Sequence, residues 1–110
     1  MGLNISFKLK QKVTHWRSGD LIKYIDVDCV ESEGRVWYPF LEEIGYYIPH
    51  ELLTEENNWY GKDMTLSTKQ IMNAWKFVTS NPIYQRNIIR SLLAEAIVND
   101  DLTVAVNADW

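Results

Sequence analysis

Leu3, Ile5, Phe7 and Leu9 alternate with Asn4, Ser6, Lys8 and Lys10 at the start of the chain. A period of two sends the four apolar side chains to one face of a strand and the polar ones to the other. Such a face has to be covered, so the chain is committed early to a sheet with one buried side. Ser18-Gly19-Asp20 marks a turn. Ile25, Val27 and Cys29 then alternate with Tyr24, Asp26 and Asp28, which predicts a second strand, closed by Glu31-Ser32-Glu33-Gly34, with Cys29 as a small core residue.

The cover comes from the second half. Ser67 with Gln70 makes a capping box, and Ile71, Met72, Trp75 and Val78 form an apolar stripe behind it, predicting a helix over Ser67–Ser80. Asn81-Pro82 supplies a cap and a first-turn proline for a second helix, Pro82–Val98, whose buried face is Ile88, Ile89, Leu92, Leu93, Ala96 and Ile97. After Asn99-Asp100-Asp101, the alternation of Leu102, Val104 and Val106 predicts a last strand returning to the sheet. The order reads as α+β, a small antiparallel sheet covered on one face by two C-terminal helices. A chain of 110 residues has room for one core, so residues 1–110 are expected to form a single domain. There is no internal repeat.

Between Arg35 and Asp63 the period is lost. Pro39, Gly45, Pro49 and Gly61 interrupt it, Val36-Trp37-Tyr38 is compatible with a short strand, and Leu52-Leu53 with a helical turn begun at Pro49. Long irregular stretches in compact domains often carry function.

Charge singles out the same region. Up to residue 23, five cations (Lys8, Lys10, Lys12, Arg17, Lys23) meet only Asp20. From residue 24 to 63, ten acids (Asp26, Asp28, Glu31, Glu33, Glu42, Glu43, Glu51, Glu55, Glu56, Asp63) meet only Arg35 and Lys62. An acidic segment repels polyphosphate and attracts basic partners, which argues against direct nucleic-acid binding. No run approaches the ~20 apolar residues of a membrane span, and the N-terminus lacks a signal-peptide layout, so the expected location is the cytoplasm. Gly2 with Ser6 matches the myristoylation pattern, but a buried strand following it would hide the terminus. A single cysteine excludes an internal disulfide and a cysteine-based zinc site.

Catalytic constellations are sparse. Asp26-Val27-Asp28 spans about 7 Å on one strand face and, with Glu31 or Glu33, could hold Mg²⁺ or Mn²⁺ in a nuclease-like enzyme. A solvated strand face explains the same residues. His50 beside Glu51 could be a base and its orienter, yet no nucleophile elbow, phosphate loop or His-Glu-x-x-His motif accompanies it. The helix pair invites a DNA-binding reading through Gln85, Arg86, Asn87 and Arg90, against which stands a pI of 5.1. No catalytic residue, cofactor or metal is therefore expected. The stretch 42–61 combines carboxylates with large rings, and amphipathic rings serve as binding anchors, so Glu42, Glu43, Tyr46, Tyr47, Glu55, Glu56, Trp59 and Tyr60 are the expected partner-binding residues. Folding back to cap the core is the competing role for the rings. Trp75 reads as core and Trp110 as a loose tail or a tail contact.

Met1-Gly2-Leu3-Asn4, followed by His15-Trp16-Arg17 and Leu21-Ile22, resembles small bacteriophage-encoded accessory proteins. Some of these open with Met-Gly-Leu-Asp and carry a later Trp-Arg and Ile stretch. The resemblance covers about a fifth of the chain, and Asn4 replaces the acid. It implies a short phage or mobile-element gene product that binds and inhibits a host nucleic-acid-binding or defence protein, in the manner of anti-CRISPR or anti-restriction proteins. An immunity protein that neutralises a basic toxin fits the same residues, and an exposed tryptophan face could equally make a homodimer.

Overall fold

A computed structural model describes residues 2–110. Strands β1 (Asn4–Thr14) and β2 (Leu21–Glu33) form a long hairpin. A 3-10 turn at Arg35–Trp37 runs into the short helix α1 (Tyr38–Glu43), and an irregular segment with a 3-10 turn at His50–Leu52 leads to β3 (Met64–Thr65). Helices α2 (Thr68–Ser80) and α3 (Arg86–Val98) and strand β4 (Leu102–Asp109) complete the chain. The sheet is antiparallel throughout, in the order β2-β1-β4-β3. The α+β reading holds.

One face of the sheet is the floor of the core. Ile5, Phe7 and Leu9 of β1 and Val104, Val106 and Ala108 of β4 lie in one buried cluster with Ile71, Ala74 and Val78 of α2 and Ile89, Leu92, Leu93 and Ala96 of α3. The capping box of α2 is formed: the Ser67 hydroxyl accepts from Gln70 N–H, and the Gln70 side chain accepts from Ser67 N–H. α3 begins later than its proline suggests. Asn81 Nδ2 turns back to donate to the Phe77 carbonyl, closing α2 instead of opening α3, and Gln85 in the left-handed region at φ 65° starts the new helix.

Val36-Trp37-Tyr38 is not a strand. Pro39 sits at the first turn of α1, where its fixed φ suits a helix, and Trp37 ahead of it is completely buried against the rings of Phe7, Phe40 and Phe77. The turn after Pro49 forms as expected.

β2 departs most from the reading of its side chains. Two bulges interrupt its pairing with β1: Leu9 faces Asp28 while Lys10 faces Asp26, and Val13 faces Lys23 while Thr14 faces Leu21. Val27 and Ile22 are the extra residues. The Val27 bulge exchanges the two faces, so Val30 and Ser32 reach the core and Cys29 does not. Residues 21–29 are exposed throughout: β4 pairs with β1 only as far as Gln11, so residues 13–23 run out beyond the sheet as the tip of an arm, and residues 24–29 form the sheet's outer edge.

Candidate functional site

The rings of the expected contact stretch mostly turn inward. Tyr46 is 1% exposed; its hydroxyl lies 2.7 Å from the Lys62 carbonyl and accepts from Ala108 N–H at 2.8 Å, which ties the irregular segment to β4. Burial pushes its phenol pKa upward, against hydrogen bonds to Ala108 and Lys62 that lower it. Tyr46 is therefore a core tether and no partner anchor. Tyr47 and Trp59 are half-buried: Tyr47 meets Tyr38 and Trp110 edge-on with centroids 5.1 and 5.2 Å away, and Trp59 lies beside Tyr46. Trp110 is no loose tail, since Tyr46, Tyr47 and Tyr60 all pack on it. Of the four expected anchors only Tyr60 keeps much exposed surface, 46%.

The acids do the reverse. Glu42, Glu43, Glu55 and Glu56 are all exposed, with Glu43 accepting a 3.4 Å hydrogen bond from Asn73. Among the described residues only Asp26 and Asp63 of the acidic segment enter ion pairs. The acids from Asp28 to Glu56 have no salt-bridge partner among the described residues.

Asp63 is the exception that is neutralised. On the open face of the sheet its carboxylate meets Lys8 Nζ at 2.8 Å, Lys10 Nζ at 3.2 Å and Asn107 Nδ2 at 2.8 Å. Partial burial pushes its pKa up, but the hydrogen bonds from Asn107, Lys8 and Lys10 outweigh that and hold it at about 2, below the ordinary 3.8. The carboxylate bond in turn raises the Lys8 ammonium, against some desolvation. A depressed carboxyl stabilises the fold above its unfolded pKa and loses that contribution as pH falls through the folded one. Solvent screening of this partly exposed site leaves about 1 kcal/mol. Asp63→Asn is expected to lower the melting temperature by about 4–8 °C near neutral pH. The gap from the wild type should close as thermal melts are taken from about pH 4 down to about pH 2.

The metal reading is corrected by the bulge. Asp26 pairs with Lys10 and Asp28 with Leu9, neighbours in β1 whose side chains point to opposite faces, so the two carboxylates are split. Asp28 accepts from the Cys29 N–H, and Glu33 lies at the far end of β2 beside Asn4. Among the described residues no three His, Cys, Asp or Glu side chains gather as a metal-binding group. His50 and Glu51 stand exposed on their 3-10 turn. Of the side chains considered for DNA, Arg90 lies over the Trp75 ring at 5.3 Å, and Arg86 donates to the Asn81 carbonyl. Both cations serve the helix pair.

The arm supplies what residue patterns missed. Trp16 at its tip is 80% exposed, with the Arg17 guanidinium 4.4 Å over its ring, and His15 Nδ1 accepts from the N–H groups of Arg17 and Ser18 to shape the turn. Leu21, Ile22, Tyr24, Ile25 and Val27 follow, all exposed. The sequence signal was available: apolar residues at both odd and even positions of 21–27 cannot all face one core. Asp26, Asp28, Glu31 and Glu33 are interleaved with or follow these residues on the same strand. The arm therefore combines exposed apolar area with exposed negative charge. No helix is long and apolar enough to cross a membrane among the described residues. Compared with family models, characterised proteins and solved structures, the chain matches none of them.

Proposed function

We propose that this protein acts by binding another protein, one with a basic surface, through the β1–β2 arm and the acids that follow it. The observation that carries the reading is β2 itself, where exposed Leu21, Ile22, Ile25 and Val27 share a strand with Asp26, Asp28, Glu31 and Glu33. Exposed aliphatic side chains in this density gain free energy by being covered, at roughly 25 cal/mol per Å². The exposed carboxylates set the sign of the surface that can do the covering.

Glu42, Glu43, Glu55 and Glu56 widen the negative field beyond the arm and steer a basic partner toward it. Nucleic-acid-handling proteins have basic grooves of this kind, and the resemblance to phage accessory proteins makes a host nucleic-acid-binding or defence protein the proposed target. Inhibition follows from occupying a groove that phosphates would otherwise fill.

The test is affinity capture from bacterial lysate, read by quantitative mass spectrometry at two salt concentrations. The wild type should retain one basic protein in stoichiometric amount. Glu42→Lys, Glu43→Lys, Glu55→Lys, Glu56→Lys together should lower its capture at least about tenfold at low salt, with the difference shrinking as salt screens it. Equal capture by the reversed variant at low salt would refute the electrostatic part of the reading.

A further inference from the structure

We infer that the outer edge of β2 is a strand-addition site, and that its occupant is an extended segment of a partner protein in which basic and apolar residues alternate. The inference rests on the protein-binding reading and specifies how the contact is made.

β2 is terminal in the order β2-β1-β4-β3, so the backbone N–H and C=O groups along its outer side have no neighbouring strand. The other end of the sheet is blunted, since β3 has only two residues. Along β2 the first buried residue is Val30, in the core cluster, and two residues on the Ser32 hydroxyl donates to the Tyr84 carbonyl at 2.7 Å. From Leu21 to Cys29 the edge is open.

A free edge of this length invites pairing, and proteins that avoid pairing place charge or bulges on it. β2 has both, and they restrict the occupant without closing the edge. The bulges at Ile22 and Val27 leave Lys23, Tyr24, Ile25 and Asp26 as a regular run, paired in order with Val13, Lys12, Gln11 and Lys10. An incoming strand can continue the ladder beside those four and meet the acids beyond them.

The side chains of the run specify its neighbour. Ile25 stands on the face of Gln11, and Asp26 with Tyr24 on the face of Lys10 and Lys12. A partner alternating apolar and basic residues lays its aliphatic groups beside Ile25 and its cations beside Asp26. Asp26 is free to receive them, because its contact with Lys10 is long, 3.8 Å, and its side chain is 75% exposed. Glu31 and Glu33, opposite Ser6 and Asn4 on the same face as Asp26, extend the same preference toward the foot of the arm.

Charge also decides against a second copy of this chain. β2 has four carboxylates and one lysine, so antiparallel self-pairing brings two edges of like sign together. A basic strand meets the same edge with unlike sign.

The test uses two synthetic peptides of about eight residues, one alternating lysine with valine and the other glutamate with valine, each titrated into the full chain. Amide hydrogen exchange and sedimentation are the readouts. The lysine peptide should bind and slow exchange at least tenfold at amides between Lys23 and Cys29, while the glutamate peptide leaves them unchanged. Lys12 N–H donates to the Asp101 carbonyl on the β4 side, so Gln11 and its partner Ile25 face each other and the Tyr24 N–H points outward. Tyr24→Pro in the protein should abolish this protection with β4 exchange unaltered.

Protection by both peptides alike, or by the lysine peptide at 42–60 instead, overturns strand addition while leaving protein binding standing. Retention of a basic protein from lysate with neither peptide bound has the same meaning. Loss of both peptide binding and lysate capture removes the two readings together. A concentration-dependent dimer dissolved by Ile25→Lys makes a second copy the occupant and overturns the basic partner.

Discussion

Trp37→Ala is expected to destabilise the protein by about 3–5 kcal/mol, the largest effect of any single truncation. A domain of this size has about 5–15 kcal/mol of stability in total, so the variant keeps only part of it. Trp37 is fully buried and its ring meets three others: Phe7 on the sheet at 5.2 Å, Phe40 on α1 at 5.8 Å and Phe77 on α2 at 5.6 Å. Its indole N–H donates to Ser32 Oγ, and that hydroxyl donates onward to the Tyr84 carbonyl before α3. One side chain therefore joins β1, β2, α1, α2 and the approach to α3. Removing it leaves a void walled by stiff rings that collapse poorly, which places the cost high in the usual range. Trp37→Phe keeps most of the volume but loses the donor to Ser32, and should cost about 1–2 kcal/mol. Urea melts followed by circular dichroism distinguish the two. A loss below about 1 kcal/mol for Trp37→Ala would mean that the four-ring cluster is not the centre of the core.

Trp37 also marks where the sequence could and could not be read. The strands of β1 and β4 and the stripe of α2 were legible because their period is regular and their faces are buried as the period requires. Trp37 sits between a glycine and a proline with no period around it, so only the fold shows that a one-turn connection supplies the largest of the fully buried side chains. The error at Cys29 has a different cause. The alternation at Ile25, Val27 and Cys29 is real, but the bulge at Val27 exchanges the faces within it, and no residue type announces a bulge. Nor does alternation say which strand is outermost, and β2 lies at the sheet's edge with its first half uncovered. The acidic stretch was legible as exposed charge. Its rings were misplaced because Trp110, fifty residues beyond Tyr60, gathers them. Composition gives affinity between rings and leaves their meeting point to the fold.

Shortening the arm is expected to weaken partner binding while leaving the fold intact. Val13 and Lys23 are a directly opposed pair, so replacing residues 14–22 with Asn-Gly closes the hairpin by a two-residue turn that suits the strand twist. The change removes Trp16, Leu21 and Ile22, all exposed, and touches no residue of the core cluster. Stability should therefore stay within about 0.5 kcal/mol of the wild type, the usual range for exposed sites. Binding should fall at least about 30-fold, the equivalent of losing one anchor worth about 2 kcal/mol. The kinetics separate this change from the reversal of Glu42, Glu43, Glu55 and Glu56. Charges at the margin of a contact act before it forms, so their reversal slows association and weakens its salt dependence. The tip residues act after it forms, so their loss speeds dissociation and leaves the salt dependence in place. Surface plasmon resonance on the captured partner reads both rates. Undiminished binding by the shortened hairpin would remove the tip from the contact and leave it to the edge from Lys23 onward or to the acidic stretch. A fall in melting temperature of more than about 5 °C would make the arm part of the fold instead of an appendage to it.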